Sequence, residues 1–169
     1  MNPQVSIIMG SISDMPVMEE AARFLDQMEI PFEIKALSAH RTPEKVAGYA
    51  QQASQRGVKV IIAGAGGAAH LPGVIAAYTG IPVIGVPVKS GKSLEGLDSI
   101  LSILQMPAGI PVAAMALDGA RNAAIFAARI LALSDPGLAE RMLAFQLSLS
   151  RKVEEADESI KEIKYRYKI

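Results

Sequence analysis

Along the chain, unbroken apolar runs of strand length alternate with apolar residues spaced three and four apart. Residues 4–9 (QVSIIM) form a short apolar run that ends at Gly10 and suits a buried strand. Val17, Ala21, Phe24, Leu25 and Met28 then recur at helical spacing, with Ser13 or Asp14 as the expected N-cap and Pro16 in the first turn. Residues 32–37 read as a second strand. Thr42, Pro43 and Glu44 open the next helix with a capping hydroxyl, a proline at the first position and an acid at the positive dipole end. Val46, Tyr49, Ala50 and Ala53 are its apolar stripe, and Gly57 is its expected end. Residues 59–63 (KVIIA) read as a third strand, followed by a Gly/Ala-rich turn and a short helix through Val74, Ala77 and Tyr78 that stops at Gly80. Further strands are expected over 82–86 and 111–115, a helix over 93–104 between them, and an Ala-rich helix over 119–133.

Apolar strands separated by helices imply a parallel sheet covered on both faces. Five such units in ~115 residues fit a flavodoxin-like, doubly wound α/β fold with strand order 2-1-3-4-5. A last stripe does not fit a closed monomer. Asp135 and Pro136 start a helix, and Leu138, Met142, Phe145, Leu149, Val153, Ala156, Ile160 and Ile163 continue it. At ~1.5 Å per residue, ~28 residues span ~42 Å, the whole diameter of a domain of this length. Either the helix breaks near 148–151 and leaves a charged tail, or part of it packs on a neighbouring subunit. The second alternative gives the expected plan: an α/β catalytic domain over 1–134, a helical extension over 135–169, and a homo-oligomer.

Composition narrows the chemistry. Among 169 residues, 17 Lys and Arg balance 17 Asp and Glu, which argues against a general nucleic-acid binder. Half of the residues are hydrophobic, enough for a core and for apolar surface beyond it. Cysteine is absent, which excludes disulfides, thiolate nucleophiles and Cys-based metal sites. The start of the chain has no basic region followed by an apolar stretch, and the apolar segment 58–88 is interrupted by Gly64, His70, Pro72, Gly80 and Pro82. A cytoplasmic protein is expected. The sequence has only two histidines, His40 and His70, so the candidates for acid–base work near neutral pH are few.

Both histidines fall in loops that follow strands, where doubly wound sheets bind ligands. The first strand ends in Gly10-Ser11-Ile12-Ser13-Asp14, the second in Ser38-Ala39-His40-Arg41-Thr42-Pro43, and the third in a run from Gly64 through Gly66, Gly67, Ala68, His70 and Leu71 to Gly73. With the first strand between the other two, these loops share one cleft. Ser11, Ser13 and Asp14 suit a helix cap, and equally a phosphate at free helix N–H groups with a carboxylate on ribose hydroxyls. Arg41 reads either as a solvated charge or, beside Ser38, as a bidentate phosphate ligand. Gly64 to Gly67 suits tight strand-to-helix packing or a flat heterocycle lying on backbone. Two familiar motifs fail. Gly91-Lys92-Ser93 lacks the upstream P-loop glycine, and Ala69 breaks G-x-G-x-x-G, leaving only the weaker G-x-G-x-x-A form. Two histidines thirty residues apart with no nearby acid cluster do not make a metal site.

Taken together, GSISD (10–14), SAHRTP (38–43) and AGAGGAAHLPG (63–73) resemble the class I carboxyaminoimidazole ribonucleotide mutases of purine biosynthesis. A later segment, Asp98-Ser99 through Gln105-Met106-Pro107 with Gly109 and Pro111-Val112, resembles the same family, and the likeness runs in order from about Val5 to Leu133. Asp118 departs from it, standing where a glycine is commoner, and a helix-capping role would account for that. The resemblance implies a cofactor-free enzyme that moves a carboxylate from the exocyclic nitrogen to C4 of an aminoimidazole ribonucleotide, within an octamer whose sites lie at subunit junctions. By motif position, Ser11, Ser38 and Arg41 would hold the 5′-phosphate and Asp14 the ribose. Ser13, Ala39, Gly66, Gly67, Ala68 and Leu71 would line the rest, and His40 would be the proton shuttle. His70 would position substrate or trapped carbon dioxide. The alternatives are a direct carboxylase of the aminoimidazole ribonucleotide and, from another class, a noncatalytic flavin- or nucleotide-binding module. The latter is disfavoured by 5% aromatic residues and no tryptophan.

Overall fold

The first strand, β1 (Val5–Met9), is buried along its whole length and carries the middle of the fold. The structure, a computed structural model, describes residues 2–91 and 93–167. Along it follow α1 (Met15–Gln27), β2 (Phe32–Ala36), α2 (Pro43–Gln51), β3 (Val60–Gly66), α3 (Leu71–Tyr78) and β4 (Val83–Val88). Then come α4 (Leu97–Leu104), β5 (Ala113–Ala114), α5 (Ala120–Ala132) and α6 (Pro136–Lys161). The five strands form one parallel sheet, as the alternation of periods implies, in the order β2-β1-β3-β4-β5 expected of the doubly wound fold.

Successive side chains of a strand point to opposite faces, so each central strand feeds two cores. Val5, Ile7 and Met9, with Ile62, Ile84 and Val86, meet α1, α5 and the start of α6 on one face. Ile8, Ile61 and Ala63 meet α2, α3 and Ile103 of α4 on the other. Each fully buried Ile or Leu contributes ~1.5–3 kcal/mol by leaving water. The small side chains of α5 (Ala120, Ala123, Ala124, Ala127, Ala128) are all buried, which brings that helix close to α1 and the sheet. On the second face, Ser6 of β1 shares a 2.5 Å hydrogen bond with the Tyr49 hydroxyl, which also donates to Glu33. Burial, then the Glu33 bond, pushes the phenol up to about 12, so it remains a neutral donor that ties α2 to the sheet.

Several boundaries differ from the pattern-based expectation for identifiable reasons. The third strand does not turn at Gly64. It continues to Gly66 because Ala65 and Gly66 pair with Pro87 and Val88 of β4. The fourth helix starts at Leu97 rather than Ser93, since Glu95 (φ 54°) and Gly96 (φ 88°) are left-handed. Gly57 caps the short 3-10 turn Ser54–Arg56, whereas α2 itself stops at Gln51. Lys92, the middle residue of the failed P-loop pattern, lies outside the described residues.

The final helix has no break at 148–151. It runs unbroken over 26 residues, ~39 Å, and Ser148 satisfies its hydroxyl within the helix by donating to the Phe145 carbonyl (2.7 Å). Asp135 caps it, accepting from the Leu138 amide at 3.0 Å. Leu138 and Met142 are buried, and Phe145 meets Phe24 edge-on with centroids 5.0 Å apart. Beyond Ser150 every described residue is exposed. No helix among the described residues is long and apolar enough to cross a membrane.

Candidate active site

At the C-terminal ends of the strands, the loops after β1, β2, β3 and β4 enclose a cavity of about 480 Å3. Its lining includes Ser11, Ser13, Asp14, Ser38, Ala39, His40, Arg41, Gly66, Ala68, His70 and Leu71, so the motif loops do converge. Gly67, the other motif glycine, is not among the lining residues. It takes φ +62° at the turn that follows β3, where a residue without Cβ is favoured. Gly10, Ala65 and Ser90 complete the wall. Ser90 was not singled out from the sequence; its only signal was its place just past the apolar run of the fourth strand.

The loop after β1 forms a single 3-10 turn before α1; Asp14 holds the N-cap position of α1, as expected, but the capping hydroxyl is that of Ser11, at the start of the turn. The Ser11 hydroxyl accepts from the Ser13 amide (3.3 Å), while Asp14 Oδ2 accepts from the Ser11 amide (3.2 Å). The Ser13 hydroxyl donates to Asp14 Oδ1 at 3.4 Å. Burial raises the Asp14 carboxyl above its usual value of 3.8, against the lowering effect of hydrogen bonds from Ser11, Ser13 and Gly10. A buried, pre-oriented carboxylate thus sits at a helix start whose amides favour anions.

The loop after β2 folds on its own side chains. Thr42 does not cap α2. Its hydroxyl accepts from the Ser38 amide (3.1 Å) and donates to the Ser38 carbonyl (3.1 Å). The Ser38 hydroxyl accepts from the Arg41 amide (3.2 Å) and from Arg41 Nε (3.4 Å), and Arg41 Nη2 donates to the Gly10 carbonyl (3.5 Å). The guanidinium is therefore drawn over the end of β1, beside the Ser11 turn.

Between these loops and α3, His40 Nε2 lies 2.8 Å from His70 Nδ1, with the rings nearly perpendicular (83°). A hydrogen bond of this length holds one proton, so one ring donates and the other accepts. Behind the pair, β3 presents small residues for packing reasons. A Cβ at Gly64 would stand 2.3 Å from Met18 Sδ, and one at Gly66 would stand 2.9 Å from the Val88 carbonyl and 3.1 Å from Ser90 Cβ. Gly66 is thus needed by its neighbours in the sheet, and it also lines the cavity. Asp118 is left-handed (φ 55°), which explains a position that suits glycine. It accepts from the Lys89 amide (2.9 Å) and so fixes the loop after β4 instead of capping a helix. Among the described residues, no group of three or more His, Asp or Glu is placed to hold a metal ion.

The AIR carboxylase family matches residues 4–152. A Pyrococcus horikoshii protein named N5-carboxyaminoimidazole ribonucleotide mutase is 57% identical over 95% of this chain and 90% of its own. A phosphoribosylaminoimidazole carboxylase of Candida albicans is 52% identical over 97% of this chain and 29% of its own. A crystal structure of Treponema denticola PurE superposes with a TM-score of 0.85 at 33% identity, covering 95% of this chain and 99% of that one. The chain belongs to the AIR carboxylase family.

Proposed function

We propose that this protein is an N5-carboxyaminoimidazole ribonucleotide mutase, an isomerase of de novo purine (IMP) biosynthesis. It converts the N5-carboxyamino nucleotide to 4-carboxy-5-aminoimidazole ribonucleotide. The observation that carries the reading is the His40–His70 pair in a cleft that also holds Ser11, Asp14, Ser38 and Arg41. In this reading Arg41, Ser38 and Ser11 take the 5′-phosphate, since Arg41 leans over the amides of the Ser11 turn. Asp14, with Ser13 beside it, takes the ribose hydroxyls. Ala39, Gly66, Ala68 and Leu71 bound the heterocycle, with Gly67 shaping the turn between Gly66 and Ala68.

The chemistry asks one group for opposite services. The N–C bond to the carboxylate breaks, its electron pair stays on nitrogen, and a proton from His40 neutralises that nitrogen as carbon dioxide forms. The C4 electron pair then attacks the carbon dioxide carbon, and the C4 proton returns to His40. Histidine suits both transfers at neutral pH. His70 suits the partner role because an imidazole accepts from an N–H in one state and donates to a lone pair in the other. The Ala-lined wall keeps water from the nascent carbon dioxide. No cofactor enters this scheme.

The apolar face of α6 supports an oligomer, an octamer in the family resemblance, with the outer part of the 135–169 extension on a neighbouring subunit. A cytoplasmic location fits this metabolic role. The Candida albicans relative favours one second reading, direct carboxylation of the aminoimidazole ribonucleotide by carbon dioxide. The test is to supply synthetic N5-carboxyamino substrate without ATP and, separately, aminoimidazole ribonucleotide with bicarbonate. Fast turnover of the first with slow turnover of the second is expected. The reverse ranking assigns the protein to the carboxylases.

A further inference from the structure

The cavity reaches one strand further than the motif loops do. Its wall includes Ser90, from the loop that follows β4. Since β4 lies beyond β3, and β1 lies between β3 and β2, the site spans the ends of four adjacent strands, three steps of ~4.8 Å, or ~14 Å. The cationic end is at β2 and β1, where Arg41 lies over Gly10. A nucleotide whose phosphate sits there extends its base towards β3 and β4. Apart from the two histidines, the polar side chain on the cavity wall at that far end is Ser90.

Its setting is that of a held, uncommitted group. The Ser90 amide donates to the Ser93 hydroxyl (3.2 Å), and the Ser90 carbonyl accepts from that hydroxyl (2.8 Å) and from the Ser93 amide (3.0 Å). The next residue back, Lys89, has its amide fixed by Asp118. The backbone that carries Ser90 is therefore anchored on both sides, and the missing Cβ of Gly66 leaves the room its side chain fills. Its own hydroxyl, by contrast, makes no hydrogen bond among the described residues. A fixed, unused hydroxyl beside a small-residue wall is arranged to meet a ligand without reorganisation.

We propose that Ser90 is a further catalytic residue, whose hydroxyl donates to a carboxylate oxygen of the substrate and stays with it while the carbon moves from nitrogen to C4. This rests on the mutase reading above. The Ser90 proton is not transferred. It tracks an oxygen whose charge falls as the N–C bond breaks and rises again as the C–C bond forms, while His40 carries the proton of the cycle.

The test uses full-length protein with Ser90→Ala and Ser90→Thr, assayed on N5-carboxyamino substrate. The readouts are kcat, KM and the partition of product between the C4-carboxylated nucleotide and decarboxylated aminoimidazole ribonucleotide. Ser90→Ala is expected to melt like the parent, because the hydroxyl it removes bonds nothing among the described residues. Its kcat should fall ~10- to 100-fold, because negative charge builds on the oxygen that Ser90 holds as the C–C bond forms, while KM rises no more than a few fold, since phosphate and ribose are held elsewhere. It should also leak aminoimidazole ribonucleotide beyond the parent, and Ser90→Thr should recover most of the coupling. Unchanged kcat and partition in Ser90→Ala, or a rise in KM alone, overturns the assignment. An inactive parent would instead overturn the mutase reading, and this one with it.

Discussion

Asp14 is where stability and function pull against each other. Its carboxyl is buried behind the Ser11 cap, and burial raises its affinity for a proton in the folded state. Between the usual value of 3.8 and the raised one, the folded protein keeps a proton that the unfolded chain has lost. This contribution to stability therefore falls as pH rises through that window, and at neutral pH the ionised group is a cost retained for binding. Asp14→Asn removes the charge and keeps an acceptor. It is expected to melt at or above the parent temperature at pH 7, with the difference growing from about pH 4 upward. It should also bind the nucleotide about tenfold or more weakly, because a charged acceptor for ribose is lost. Thermal melts across pH with parallel binding titrations check both, and a variant that melts lower and binds normally contradicts this role. At this scale Asp14, His40 and Arg41 could be named as candidates from the sequence, since their types announce chemistry, and all three line the cavity. Ser90 was not legible, because a lone serine past a strand becomes a wall residue only when β4 is set beside β3.

Whole elements were easier to read than their ends. Periodicity alone separates strand from helix here, because both faces of the sheet are covered and the strands are continuously apolar. The misread boundary at Gly64 has a steric origin. Small residues in β3 allow Met18 of α1 and the loop after β4 to approach closely, and in sequence they look like a turn. The last helix is the opposite case: its length against the domain diameter suggested a break, yet it runs through 148–151 with the Ser148 hydroxyl bonded back to Phe145. Leu143 and Leu147, one turn apart on α6, are 59% and 51% exposed. Leu143 also lines an apolar groove of about 340 Å3 between α5 and α6. Leu143→Glu with Leu147→Glu is expected to dissociate the proposed homo-oligomer, read as a drop in mass by light scattering, while leaving far-ultraviolet dichroism intact. In a monomer, exposed substitutions of this kind cost within about 0.5 kcal/mol and change no mass. An unaltered mass contradicts the packing of this face on a neighbouring subunit.

For the molecule as a whole, strand order is the step that turns separate motifs into a site. Ser11, His40 and His70 are far apart in sequence, and only with β1 between β2 and β3 do their loops face one cavity. That order was inferable, because right-handed crossovers and a switch point leave few arrangements. The 2.8 Å contact between the histidines was not, because it depends on how two loops lean across the strand between them.

The central claim is that a single histidine in this cleft both gives and recovers the proton of the cycle. The most direct measurement compares His40→Asn with the parent, taking turnover of N5-carboxyamino substrate alongside nucleotide affinity. Turnover lost by at least ~100-fold with affinity within about threefold is expected, since the proposed phosphate and ribose contacts are untouched. Near-normal turnover in His40→Asn would contradict the account.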